Sequence, residues 1–154
     1  MNNFDAFLYA IGISEGTINS PITQDRGYDV LVSGINGPAR FDSYATHPNI
    51  LVTVNHNGLK STAAGRYQIL YHNFLYYKNL LGLDDFSPEA QDKIALQMIK
   101  ETGADGDIES GDIQSAVVKV AHLWASFPGE GYPMQHQNTM DSILASFNQG
   151  LEAV

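Results

Sequence analysis

The hydrophobic period of this chain changes twice, and that change constrains the fold more than any other feature. Residues 3–15 repeat apolar side chains at helical spacing, with Phe4, Leu8 and Ile11 in one stripe at about 100° per residue. Residues 28–32 and 51–54 are instead rich in β-branched and aromatic side chains. Gly34, Gly37-Pro38 and His47-Pro48 punctuate them, so the middle of the chain predicts short antiparallel strands and loops. Helical spacing returns from residue 61, where Tyr67, Leu70, Tyr71, Phe74 and Leu75 follow an N-cap at Ser61 or Thr62. A third helix is expected from Ser87, with Pro88 in its first position and Ala90, Ile94, Met98 and Ile99 inside. A fourth is expected over 112–124, with Ile113, Val117, Val120 and Trp124 inward, and a fifth over 138–148, with Met140, Ile143, Leu144 and Phe147. Helices flanking a small sheet predict an α+β fold. No linker, repeat or low-complexity tract interrupts residues 1–154, so one domain is expected.

Glu15 extends the stripe of Phe4, Leu8 and Ile11. A carboxyl group there points where the helix buries its hydrophobes. Burial disfavours the charged form, so its pKa should rise above the roughly 4.3 of a free glutamate. Such a group is a proton donor near neutral pH. Gly16 follows at once, a residue suited to ending a helix. The competing reading is a partly exposed glutamate in a frayed last turn.

Composition excludes several classes. The chain has no cysteine, which removes disulfides, thiolate metal sites and cysteine nucleophiles. A net charge of −9 argues against nucleic acid and against an anionic membrane surface. No apolar run approaches the ~20 residues that span a bilayer, so membrane insertion is not expected. The N-terminus carries Asp5 and no basic stretch, and does not read as a secretory signal. His47, His56, His72, His122 and His136 have no metal-ligand spacing. Asp105, Asp107, Glu109 and Asp112 lack the order of a calcium loop, and their charge suits the N-terminus of the fourth helix. Neither metal nor cofactor is expected.

Five short words occur in order: Ile13-Ser14-Glu15-Gly16-Thr17, Arg26-Gly27-Tyr28-Asp29-Val30 and Ser61-Thr62-Ala63-Ala64-Gly65-Arg66-Tyr67-Gln68, then Phe86-Ser87-Pro88-Glu89-Ala90-Gln91-Asp92 and Leu123-Trp124-Ala125-Ser126-Phe127-Pro128-Gly129. Together they closely resemble the phage endolysins of the lambda lysozyme family, over about residues 7–147. The resemblance implies a lysozyme-like α+β fold, several helices around a small antiparallel β-sheet, with the active-site cleft between them. It also implies a lytic transglycosylase acting on bacterial peptidoglycan, with Glu15 as acid and then base and a 1,6-anhydro product. Such a protein is made in the host cytoplasm and reaches the periplasmic peptidoglycan through a separate holin-type protein; a monomer is expected.

The residues themselves leave a hydrolase open. A muramidase needs a second carboxylate, and Asp25, Asp29 and Asp42 are the candidates by position. Asp29 alternates with Tyr28 and Val30, and suits a structural acceptor, a cleft-lining charge or a nucleophile, in falling order. Ser61 and Thr62 suit helix capping or sugar contact, and Tyr67 suits core packing or glycan contact. Gln68 suits an N-acetyl group, since it donates and accepts. The resemblance makes the Gly- and Pro-rich stretch 126–132 a flap over the glycan, with Tyr132 as an aromatic platform and Glu130 as an exposed tip. From another class, a non-catalytic glycan-binding protein would require Glu15 to be exposed or its cleft partners to be missing. A catalytic piece of a larger tail-associated protein is a further alternative.

Overall fold

The structure is a computed structural model and describes residues 2–129 and 138–153. It contains helices α1 (Asn3–Ser14), α2 (Tyr71–Leu81), α3 (Pro88–Glu101), α4 (Asp105–Ser110), α5 (Ile113–Val120) and α6 (Met140–Glu152), and a hairpin of β1 (Val52–Thr53) and β2 (Lys60–Ser61). Its residues form two compact units, Met1–Glu15 with Ala95–Val154, and Gly16–Ile94.

The first unit is helical. Asn2 caps α1, its side chain accepting from the Asp5 amide at 2.8 Å, and Asp5 meets the positive end of the helix dipole. α1 buries Phe7, Leu8, Ala10 and Ile11 and ends where Gly16 turns left-handed at φ 75°. It packs chiefly on α6. Gly150 makes that approach possible, because a Cβ there would lie 3.0 Å from Ala6 Cα and 3.1 Å from its carbonyl oxygen. Phe127 fills the core between Phe7, edge-on at 6.2 Å, and Trp124.

The second unit carries the hairpin, α2 and much loop. β1 and β2 pair antiparallel with Val52 opposite Ser61 and Thr53 opposite Lys60. Tyr67, Phe74 and Phe86 are its largest fully buried side chains, and His47 is buried as well. Gln91 is fully buried and fully used: its Nε2 donates to the carbonyls of Tyr28 and Phe86, and its Oε1 accepts from the Arg66 amide. A Cβ on Gly65 would collide with the Gln91 side chain at its Oε1.

The third helix starts at Pro88, as its sequence requires. Other elements differ from expectation. Residues 28–32 form turns and two isolated bridges, Val30 with Arg40 and Leu31 with Ala64, and Tyr28, Asp29, Val30 and Leu31 are buried consecutively. Side chains covered all round have no outer face, so the alternation expected of a strand is absent. The second helix begins at Tyr71, not near 61: Ser61 belongs to β2, and Ala64 bridges to Ile69. The N-cap of this helix is Leu70, which offers no side-chain hydrogen bond, while the Tyr71 amide donates to Thr62 Oγ1, nine residues upstream, at 3.1 Å. Leu75 is 42% exposed and not in the core. The acidic residues from Asp105 form a short helix of their own, α4, and Asp112 caps α5.

Candidate active site

Glu15 occupies the C-cap of α1, with its amide bonded back to Ile11. The residue is half-buried, and burial raises its carboxyl to about 7, against the opposing effect of a hydrogen bond from Ser126. Its place at the negative end of the helix dipole acts in the same sense as burial. Ser126 Oγ donates to Glu15 Oε2 at 2.9 Å. Behind it, Ser14 Oγ lies 2.7 Å from Ser126 Oγ, and Asn138 Nδ2 donates to Ser14 Oγ at 3.0 Å. The arrangement yields a carboxylic acid that can give up its proton near neutral pH and, once ionised, take one back.

The sequence candidates for a second carboxylate are each engaged. Asp29 is buried, with Oδ1 accepting from Thr23 Oγ1 at 2.5 Å and Oδ2 from the Gln24 amide at 3.0 Å. Asp25 pairs with Arg26 at 3.3 Å and accepts from the Tyr44 hydroxyl at 2.6 Å. Burial and that bond to Asp25 push the phenol of Tyr44 well above its ordinary value. Asp42 is exposed and paired with Arg40 at 3.1 Å.

The polar residues expected at a glycan site divide. Ser61 Oγ accepts from the Ala63 amide and Thr62 Oγ1 from Tyr71, so each keeps its hydroxyl hydrogen to donate elsewhere. Gln68 sits at φ 52°, a strained position for a side-chain-bearing residue, and its Nε2 donates to the Gly65 carbonyl at 3.0 Å. Tyr67 is 1% exposed and its hydroxyl donates to Asp92 Oδ1. A ring that covered has no face for a sugar, so of its two roles the structure gives it packing. Tyr28 donates to the same oxygen at 2.8 Å, while the Arg66 guanidinium lies 4.2 Å from the centre of the Tyr28 ring. Glu130 and Tyr132 lie outside the described residues.

Sequence reasoning missed Ser126, Asn138 and Asp92. Asp92 closes one of the five words, but nothing local marks it as the acceptor for two tyrosines 25 and 64 residues away. Among the described residues no cluster of three or more His, Asp or Glu side chains could hold a metal ion. Nor, among them, is any helix long and apolar enough to cross a membrane.

With this geometry in hand, similarity to known proteins is informative. The endolysin family profile matches residues 5–154. The endolysin of Escherichia phage P2 is 44% identical over 147 residues, covering 92% of this chain and 88% of that protein. The endolysin of Escherichia phage lambda is 46% identical over 149 residues, covering 96% and 90%. A solved structure of bacteriophage lambda lysozyme complexed with a chitohexasaccharide matches with a TM-score of 0.89 at 45% identity, over 97% of this chain and 95% of that one. A second structure of the same lysozyme matches with a TM-score of 0.85. The fold is therefore lysozyme-like α+β, and the chain belongs to the endolysin family, whose activity is the degradation of peptidoglycan.

Proposed function

We propose that the chain is a peptidoglycan lytic transglycosylase in which Glu15 serves as acid and then as base. The observation that carries this reading is the Glu15 carboxyl, lifted by burial to about 7 at the end of α1. A glycosidic oxygen leaves only when protonated. Glu15 gives it that proton as the bond from muramic acid C1 to the O4 of the next sugar breaks. The C6 hydroxyl of the same muramic acid then attacks C1, and its proton goes to the Glu15 carboxylate. The product is a 1,6-anhydro sugar, no water is consumed, and the acid is restored.

This scheme needs one carboxyl group, whereas a muramidase needs two. The engagement of Asp25, Asp29 and Asp42 by neighbouring donors and cations supports the first scheme over the second. Asp29, with both oxygens accepting, suits a part in holding the 23–29 turn. Ser61, Thr62 and Gln68 are assigned to glycan contact; a glycan as the ligand is supported by the lambda relative, which was solved in complex with a chitohexasaccharide. The match of one family across residues 5–154 favours reading the whole chain as one catalytic domain. Release from the host cytoplasm by a holin-type protein belongs to the same reading.

Mass spectrometry of muropeptides released from purified Gram-negative sacculi tests it. Fragments lacking one water and a reducing end are expected. Reducing muramic ends would make the protein a hydrolase, and no release would make it a glycan-binding protein.

A further inference from the structure

The reaction above uses Glu15 but leaves unused the line of side chains that ends on it. Asn138 Nδ2 donates to Ser14 Oγ, Ser14 Oγ contacts Ser126 Oγ, and Ser126 Oγ donates to Glu15 Oε2, at 3.0, 2.7 and 2.9 Å. The first member fixes the polarity. An amide nitrogen only donates, so Ser14 Oγ accepts from Asn138 and its own hydrogen is directed to Ser126. Ser126 then gives its single hydrogen to Glu15. No other arrangement supplies each hydroxyl hydrogen with an acceptor inside the line. The backbone holds the line in place: Asn138 Nδ2 also reaches the Ser14 carbonyl at 3.2 Å, and the Asn138 amide donates to the Ser126 carbonyl at 2.8 Å.

We propose that Asn138, Ser14 and Ser126 are positioning residues that keep Oε2 of Glu15 an acceptor throughout the reaction and so reserve Oε1 for the transferred proton. The inference rests on the reading of Glu15 as acid and base. A carboxylic acid has one proton to place, and an oxygen already accepting from Ser126 is the poorer site for it. When Oε1 releases its proton to the glycosidic oxygen, the new charge spreads to Oε2, where the bond from Ser126 becomes charge-assisted and stronger. Every link is polarised in the same direction and reinforces the last one. The proton returning from the C6 hydroxyl finds Oε1 where it left it, so acid and base roles alternate without rotation of the carboxyl group.

Removing the Ser126 donor takes away a bond that favours the charged form, so the Glu15 pKa should rise and the alkaline limb of activity should move to higher pH. The experiment is a pH series of turnover on purified peptidoglycan for the unaltered protein, Ser126→Ala, Ser126→Thr and Glu15→Gln, with folding checked by thermal unfolding. Ser126→Ala is expected to lower kcat about tenfold to a hundredfold with little change in KM. Its alkaline limb is expected to move up by about one pH unit, and Ser126→Thr, which keeps the hydroxyl, to restore both. A folded Ser126→Ala with normal kcat and an unmoved limb would overturn the proposal, as would equal loss in both Ser126 variants with no shift of the limb. If Ser126→Ala does not fold, Ser14→Ala takes its place, with a smaller loss and a limb shift of the same sign expected and normal behaviour overturning it. Glu15→Gln separates the two readings. Activity retained there removes Glu15 itself, whereas an inactive Glu15→Gln beside an unaffected Ser126→Ala removes only the line.

Discussion

A carboxyl group held at about 7 is what the proposed reaction needs, and it is also a group the folded chain accommodates less well as pH rises. The folded pKa of Glu15 lies above its unfolded value, so its contribution to stability is complete below about 4.5 and is lost as pH climbs through about 7. Glu15→Gln has no charge to bury. It should therefore exceed the parent in stability at pH 8 and gain clearly less at pH 4, as urea unfolding at the two values would show. Equal differences at both would mean that the carboxyl is not desolvated. The sequence made Glu15 legible because a local rule sufficed: it extends an apolar helical stripe and precedes Gly16. Ser126 was not legible, since its partner lies 111 residues away and only the fold brings the two together.

At the scale of elements, legibility followed the same division. α1 and α3 are readable from periodicity and from Gly16, Ser87 and Pro88, all signals within a few residues of the ends they set. Periodicity alone starts α2 ten residues early, because Tyr67 and Leu70 continue its spacing backward. They are instead held by the bridge of Ala64 to Ile69 and by left-handed backbone at Gly65 and Gln68, which no helix allows. α4 is six residues long, too short to show a period, so in the sequence its acidic residues read as a lead-in to the next helix. The contact of α1 with α6 gives a sharp test. Gly150→Ala would set a methyl group against the backbone of Ala6 at about 3.0 Å, closer than the two helices tolerate without shifting. A loss of about 1–3 kcal/mol in chemical denaturation is expected. An unchanged midpoint would show that α6 can move away freely.

Across the whole molecule, two buried titratable groups act on stability in opposite directions. His47 packs against Phe86 with ring centres 4.8 Å apart, its Nδ1 accepts from the Asn49 amide, and its Nε2 donates to the Ile69 carbonyl. That pattern fits only the neutral ring, and burial lowers its pKa. The unfolded chain takes up the proton more readily, so stability is full above about 6.5 and falls as pH drops below it. Urea unfolding of Glu15→Gln between pH 7 and 5 isolates this decline, and His47→Gln added to it should flatten the slope. A slope that survives would place the acid sensitivity elsewhere. The net charge of −9 gives the protein no long-range attraction to an anionic wall, so the proposed reaction rests on short-range chemistry at one carboxyl group. Titration of the Glu15 carboxyl carbon by 13C NMR in the folded protein, assigned with Glu15→Gln, tests that most directly. An inflection near pH 7 is the expected result. An inflection near 4.5 would mean that Glu15 is already ionised when the glycosidic oxygen needs its proton, and would contradict the account.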